Sequence, residues 1–404
     1  MKRETFFNYL IILLNLSIIS PIKFFTNDFF LLGLFLFLSI LFIKRNEKVD
    51  PFIIFLLIFL FIVNIISDLV WQDNNFIVVS GFALRIINIY MSLKILKARF
   101  WDIYLKIVLF FALISIPFYI IQLFYPQFFL SMYPYFSWID ADVRKESGKY
   151  GFLIHVLHIG MEYRNSGFAV EPGMFGYFLG LGIVLQLLKN NFQIDRYVIV
   201  VSLIGLTTIS TSFYLFLWLA LSIILIYKRN PLVYLFGFVV VVYLASVLYQ
   251  LDFMTGKIIL TYNGAMDTFD KGYQNMKSDG LNRVGGIIMD IDDFLVYPIG
   301  YGFANGRRYT LNGTMISSPN GLGSYIRLYG VIGILFLIIA FRRAGPFLNQ
   351  YRSPKFISVG LSLCLIIFLF SNPLHRDPFF LAFLFSSFVL KGNQLNRNMF
   401  YKEN

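Results

Sequence analysis

The sequence predicts an all-α, polytopic membrane protein with about twelve transmembrane helices. Three observations carry that expectation. Hydrophobic residues make up 58% of the 404 positions and charged residues 14%, against about 25% charge in an ordinary soluble domain. The mean hydropathy is +0.71. The apolar residues also fall in continuous runs of roughly 17–25 positions, enough for a helix to cross a hydrocarbon core of about 30 Å. Runs without alternation argue against a β-barrel, whose strands alternate lipid-facing and lumen-facing residues.

In chain order the spans are expected at 7–24, 28–43, 51–67, 76–95, 104–124, 168–188, 197–211, 212–227, 232–250, 320–341, 355–371 and 378–391. The first follows Met1-Lys2-Arg3 without a small-residue cleavage site and reads as a retained helix, not a signal peptide. Almost no polar loop separates the seventh from the eighth. With the N-terminus inside, the inner segments hold 20 of the 34 Lys and Arg but 6 of the 22 Asp and Glu. That leaves the inner side at +14 and the remainder at −2, the positive-inside pattern of an even number of spans with both termini cytoplasmic. The net charge of +12 thus reports orientation, and no nucleic-acid partner is needed to explain it. The single cysteine, Cys364, excludes an intrachain disulfide and reads as a small packing residue. No internal repeat divides the chain, so 1–404 is expected to form one integral membrane domain.

Two connections are long, and both fall outside. The first, 125–167, contains Pro126, Pro134, Trp138 and the mixed-charge run 140–149, and reads as a segment at the interface, where Trp and Tyr rings are favoured. The second, 251–319, is the most polar stretch and is expected to carry part of a functional site. Within it, Asn282–Val296 has the apolar spacing of a short helix, with Asn282 as its N-cap. Tyr297-Pro298-Ile299-Gly300-Tyr301-Gly302 then turns the chain.

Arg164-Asn165-Ser166-Gly167-Phe168-Ala169-Val170-Glu171-Pro172 places a cation, a carboxylate and a helix-starting proline at the mouth of an apolar span. Charges at such a place are costly unless they bind something. Three pieces in order resemble one family: Arg-x-x-Gly-Phe-x-x-Glu-Pro-x-x-Phe at 164–175; Arg283 on a short helix followed by Pro298-x-Gly-Tyr-Gly; and Ser317-Ser318-Pro319-Asn320-Gly321 leading into Leu328-Tyr329-Gly330-Val331-Ile332-Gly333. The chain resembles the O-antigen polymerase and ligase superfamily of bacterial envelope glycan assembly, with C-type glycosyltransferase architecture. The resemblance implies an enzyme at the outer face of the cytoplasmic membrane that takes polyprenyl-pyrophosphate-linked glycans as donor and acceptor. It implies neither metal nor cofactor, and it leaves room for a chain-length regulator as a partner. Ligases of this superfamily, which load glycan onto lipid A core, typically carry a His before the Asn of the third piece. Here Pro319 stands there, which favours a polymerase of the Wzy type. The ligase remains the close alternative. A lipid-linked glycan flippase is the alternative of another class, disfavoured because such transporters usually show repeats and midplane sites.

A departing pyrophosphate gathers negative charge, and a guanidinium meets it with a planar fork that stays charged. Arg164 and Arg283 are the leading candidates; salt bridges to Glu162 or Asp279 would give them a purely structural role. Arg307 and Arg308, which follow the Gly300/Gly302/Gly306 loop, are candidates to bind phosphate or sugar, set against a solvated loop or contact with anionic lipid headgroups. Arg327 either enters the outer cavity or snorkels, Arg85 is cavity-facing or paired, and Asn320 is a further substrate contact. For the acceptor hydroxyl's proton, Glu171 is the first candidate base, set against a helix-capping role, and His375 the second, set against an exposed loop histidine. His155 and His158 share a face if helical, but no third metal ligand continues it. Asp290, Asp292 and Asp293 read as a solvated helix face more readily than as a cation site. The hydroxyls of Thr207, Thr208, Ser210, Thr211 and Ser212 either contact ligand or pack helices.

Overall fold

The computed structural model describes residues 3–20, 22–136, 149–152, 154–228, 259, 263, 266, 283–304, 318–349 and 354–390. The span expected at 232–250, Asn282, Arg307 and Arg308 lie outside the described residues. The chain is helical nearly throughout. Its helices are α1 (Arg3–Ser17), α2 (Lys23–Thr26), α3 (Asp28–Lys44), α4 (Pro51–Trp71), α5 (Phe76–Leu96), α6 (Arg99–Phe124) and α7 (Pro126–Phe136), then α8 (Pro172–Lys189), α9 (Arg196–Leu206), α10 (Thr211–Lys228) and α11 (Arg283–Val296). α12 (Gly321–Leu348), α13 (Lys355–Leu363), α14 (Ile366–Ser371) and α15 (Pro378–Val389) follow. A two-stranded antiparallel hairpin, β1 (Lys149–Gly151) and β2 (Val156–His158), pairs Lys149 with His158.

Helices α4, α5, α6, α8 and α12 are long and apolar enough to cross a bilayer. Large apolar side chains stand on their outer faces, among them Phe124 at 83%, Ile77 at 78% and Leu69 at 76% exposure. A belt of that extent is incompatible with water and suits lipid. The protein is therefore an all-α membrane protein.

α8 is the central helix. It touches α6, α9, α10, α12, α13 and α14. Small residues on one of its faces allow this crowding. Gly176 lies against Phe213, and Gly180 against Phe368 and Phe216, so a side chain at either would separate the helices.

α12 is broken at Gly330, whose φ of 58° is left-handed and suits a residue without Cβ. The break is filled by the turn after α11. Tyr301 N donates to Arg327 O at 2.9 Å, Gly302 N to Leu328 O at 3.0 Å, and Val331 N to Pro298 O at 3.0 Å. Backbone groups freed inside an apolar bundle must find such partners. Two of the sequence pieces, Pro298–Gly302 and Leu328–Gly333, are thus one interlocked junction, in which a Cβ at Gly300 would meet the backbone of Leu328–Gly330.

α11 corrects an expectation. Its acidic side is not solvated: Asp290 and Asp293 are fully buried, whereas Ile291, Leu295 and Val296 point outward. In a lipid setting the polar face turns toward the protein, where partners exist. Asp290 accepts from Ser318 Oγ at 2.6 Å. Asp293 pairs with Arg327 Nε at 3.0 Å, with side-chain exposures of 0% and 8%. Arg327 also donates to Ala304 O and lies over the Tyr301 ring. It therefore ties α11 and its turn to α12, and neither snorkels nor reaches the polar cavity described below.

Removing one partner of a buried pair strands the other's charge, at a cost of about 3–5 kcal/mol. Asp293→Ala is expected to lower the melting temperature of the detergent-solubilised protein more than the double variant Asp293→Leu/Arg327→Met. Thermal melts of both variants check this.

Candidate functional site

The chain between β2 and α8 is fixed by side chains that reach it from α6 and α9. Gln122, fully buried on α6, donates to the carbonyls of Glu162 at 2.6 Å and Arg164 at 3.0 Å. Its Oε1 lies 2.7 Å from His155 Nε2. Asn165, also fully buried, donates to Ser115 Oγ at 3.1 Å and Thr207 Oγ1 at 3.0 Å and accepts from Gly167 N at 2.9 Å. Phe168 then wedges between Phe111, Phe175 and Phe178. These contacts leave Arg164 only half-buried, its Nε donating to Thr208 O at 3.3 Å. No ion pair joins it to Glu162, whose Oε1 instead accepts from Gly160 N.

Glu171 occupies the N-cap position of α8, with Pro172 starting the helix. Its side chain makes no capping bond. It turns to Lys149 on β1, with Oε1 2.6 Å from Nζ. Arg283 begins α11. Its backbone carbonyl accepts from Asn320 Nδ2 at 3.1 Å, while Asn320 Oδ1 accepts from Gly323 N and caps α12. Asn320, at 1% exposure, thus positions Arg283 and does not line the cavity.

Arg164, Arg283, Glu171, Lys149 and His158 line one polar cavity of about 250 Å³, together with the hydroxyl-bearing Ser210, Thr211 and Ser212. The cavity opens where α8, α10 and α11 begin. Two stretches separated by more than a hundred residues therefore contribute cations to one hollow. Lys149 and His158, which lie across from each other in the hairpin, complete it.

The electrostatics follow from this crowding. Burial raises the pKa of Glu171, but Lys149, His158 and Arg283 outweigh that, and the carboxyl is held below its usual range. It is ionised and weakly basic at neutral pH. Burial lowers the pKa of His158, and Lys149 and Arg164 add to that, against the opposing pull of Val170 O and Glu171. His158 Nε2 sits 2.9 Å from Val170 O. A carbonyl can only accept, so Nε2 carries the proton and Nδ1 holds a lone pair. His158 is a neutral imidazole in a wall of cations.

His375 is elsewhere. It is buried at 3% exposure beside Tyr325 and Tyr329, where it lines an apolar groove, not the polar cavity. Burial and Arg376 push its pKa down to about 3. The exposed-loop reading fails because the Leu374–Arg376 turn folds inward beneath α12. The helical reading of His155 and His158 fails as well, because His158 ends β2. Among the described residues, no group of three or more His, Cys, Asp or Glu gathers to hold a metal. The sequence reading missed Lys149 and saw His158 only as a metal candidate. The signal was the strand alternation, too short to stand out beside the long apolar runs.

Comparison with protein-family models, curated proteins and solved structures finds no match for this chain. The site is therefore read from its geometry.

The Lys149–Glu171 pair joins the hairpin to α8. Because the folded carboxyl titrates below its unfolded value, the pair's stabilisation is present above about pH 4.3 and is lost as pH falls through the lowered folded value. With exposures of 23% and 44%, the pair contributes only about 0.2–1 kcal/mol. Hydrogen exchange at 149–151 is expected to quicken on acidification in the wild type. In Glu171→Gln it should be fast already at neutral pH.

Proposed function

We propose that the chain is a membrane glycosyltransferase that polymerises polyprenyl-pyrophosphate-linked oligosaccharide repeats. It has the C-type architecture of the O-antigen polymerases, with its cavity at the outer face of the bacterial cytoplasmic membrane. The observation that carries this reading is the sharing of one cavity by Arg164, Arg283 and Lys149 with a lone carboxylate, Glu171. Among the described residues, two Arg and one Lys against one carboxylate leave a positive excess in a low-dielectric setting, which a diphosphate would neutralise. The excess of Lys and Arg in the complementary loops supports the outward placement. Pro319, where a ligase would carry His, supports chain growth over ligation.

In the reaction, an acceptor sugar hydroxyl attacks the donor's anomeric carbon. The bond from that carbon to the diphosphate oxygen breaks, and the lipid diphosphate leaves with the electron pair. Arg164 and Arg283 stabilise the charge that grows on the leaving oxygens. The hydroxyl proton passes to a base. We assign that role to His158 Nδ1, which keeps a lone pair, because the Glu171 carboxylate is engaged by Lys149. Glu171 then orients Lys149, and the hydroxyls of Ser210–Ser212 contact sugar or phosphate.

The decisive experiment is reconstitution in proteoliposomes with lipid-linked repeats and no ion gradient. Chain lengthening is expected. Movement of substrate with its linkages intact would instead reveal a transporter, and transfer only to lipid A core a ligase. Arg164→Ala and Arg283→Ala should each slow chain growth roughly hundredfold or more while still inserting normally. His158→Gln should abolish the acidic limb of the pH–rate profile, whereas Glu171→Gln should lower the rate and keep that limb.

A further inference from the structure

A second basic hollow lies apart from the polar cavity. It has a volume of about 220 Å³ and is lined by Arg85 of α5, Arg376 of the turn before α15, Asp28 at the start of α3, and Phe82 and Phe303. Arg85 sits near the middle of a membrane-crossing helix, where an unneutralised guanidinium is expensive. Among the described residues neither guanidinium has a hydrogen-bond or ion-pair partner. Arg376 and Asp28 line the same hollow as Arg85, and the guanidinium of Arg376 lies over the Phe303 ring, 5.2 Å from its centroid. Two cations thus face one carboxylate across an open space.

This hollow adjoins an apolar groove. The groove has a volume of about 330 Å³, shares Phe82 with the basic hollow, and has His375, the neighbour of Arg376, in its wall. It runs along α4 from Phe52 to Leu60 between α12 and α15, about 12 Å of helix at 1.5 Å per residue. Its walls are almost wholly aromatic and aliphatic. In the groove's wall, the ring nitrogens of His375 and the hydroxyl of Tyr329 are buried without hydrogen-bond partners among the described residues.

We propose that the Arg85–Arg376 hollow and the aromatic groove together bind a second polyprenyl diphosphate, its head between the two guanidiniums and its chain along α4. The lipid class rests on the glycosyltransferase reading; the charge and shape of the pocket do not. An enzyme joining two lipid-linked glycans must hold two diphosphate heads at once. Among the described residues there are two basic hollows, and the Arg85–Arg376 hollow adjoins an apolar groove. The occupant is therefore the substrate whose lipid stays bound while its glycan crosses to the other hollow.

The test uses the full-length protein in phosphatidylcholine nanodiscs with undecaprenyl diphosphate as the probe, its bound copies counted by native mass spectrometry. Two copies per chain are expected. Arg85→Gln/Arg376→Gln should leave one, and Arg164→Gln/Arg283→Gln should leave the other. Unchanged stoichiometry and affinity in Arg85→Gln/Arg376→Gln would overturn the inference, as would displacement of that copy by phosphatidylglycerol as readily as by unlabelled probe. Two copies still bound to Arg164→Gln/Arg283→Gln would instead count against the first cavity and the proposed function. Should the double variant fold poorly, Arg376→Gln alone, on an exposed side chain, should weaken the second copy about tenfold. Ile332→Trp, in the groove wall, should weaken the long-chain probe and spare geranyl diphosphate; equal binding of the long-chain probe would remove the groove from the site.

Discussion

Three fixed cations and one carboxylate share a small cavity in a protein surrounded by hydrocarbon, and the rest of the structure is arranged around that imbalance. Like charges in a low-dielectric hollow repel one another strongly. They stay together only because each is carried by a segment anchored elsewhere. Arg164 is held through its backbone by Gln122 and Asn165. Arg283 is held by the docking of α11 on α12, through Asn320, Asp290 and Asp293. Lys149 is held by a hairpin whose far strand delivers His158. The anchors are buried and the cations are not, so the bonds within the protein leave the guanidinium groups available.

This division separates two kinds of polar residue that look alike in a sequence. Arg327 and Arg283 are both near the same junction, yet Arg327 is consumed by Asp293, Ala304 and the Tyr301 ring. Asn320 and Ser318 belong to a sequence piece suggestive of substrate contact, but they serve as a cap and as a partner for Asp290. The glycines of Pro298–Gly302 and Leu328–Gly333 permit the backbone of one segment to enter the broken turn of another. Architecture and chemistry thus alternate along the same short stretches.

Much of the helical frame was legible because continuous apolar runs have one dominant solution in lipid. The observed α3, α4, α5, α6 and α8 lie within a few residues of the runs read from sequence. Arg164, Glu171 and Arg283 stood out for a similar reason, as charges beside a proline-led apolar helix or at the head of a short helix. The orientation of α11 was not legible. Periodicity identifies two faces but does not say which meets protein when the alternative is lipid, and Asp290 and Asp293 turn inward because Ser318 and Arg327 await them. The settings of Lys149, His158 and His375 were not legible for a different reason. Their surroundings are set by contacts between segments distant in the chain, such as the pairing of Lys149 with Glu171 and the folding of His375 beneath Tyr325 and Tyr329.

α11 gives the bilayer itself a part in the site. Ile291, Leu295 and Val296 face away from the protein while Arg283 stands at the same helix's first position. The helix thus presents one apolar flank outward while its opposite side is tied to α12 through Asp290 and Asp293. Changes in lipid thickness or lateral pressure press on that greasy flank directly. The position of one cation in the polar cavity is thereby coupled to the outward-facing flank of its own helix.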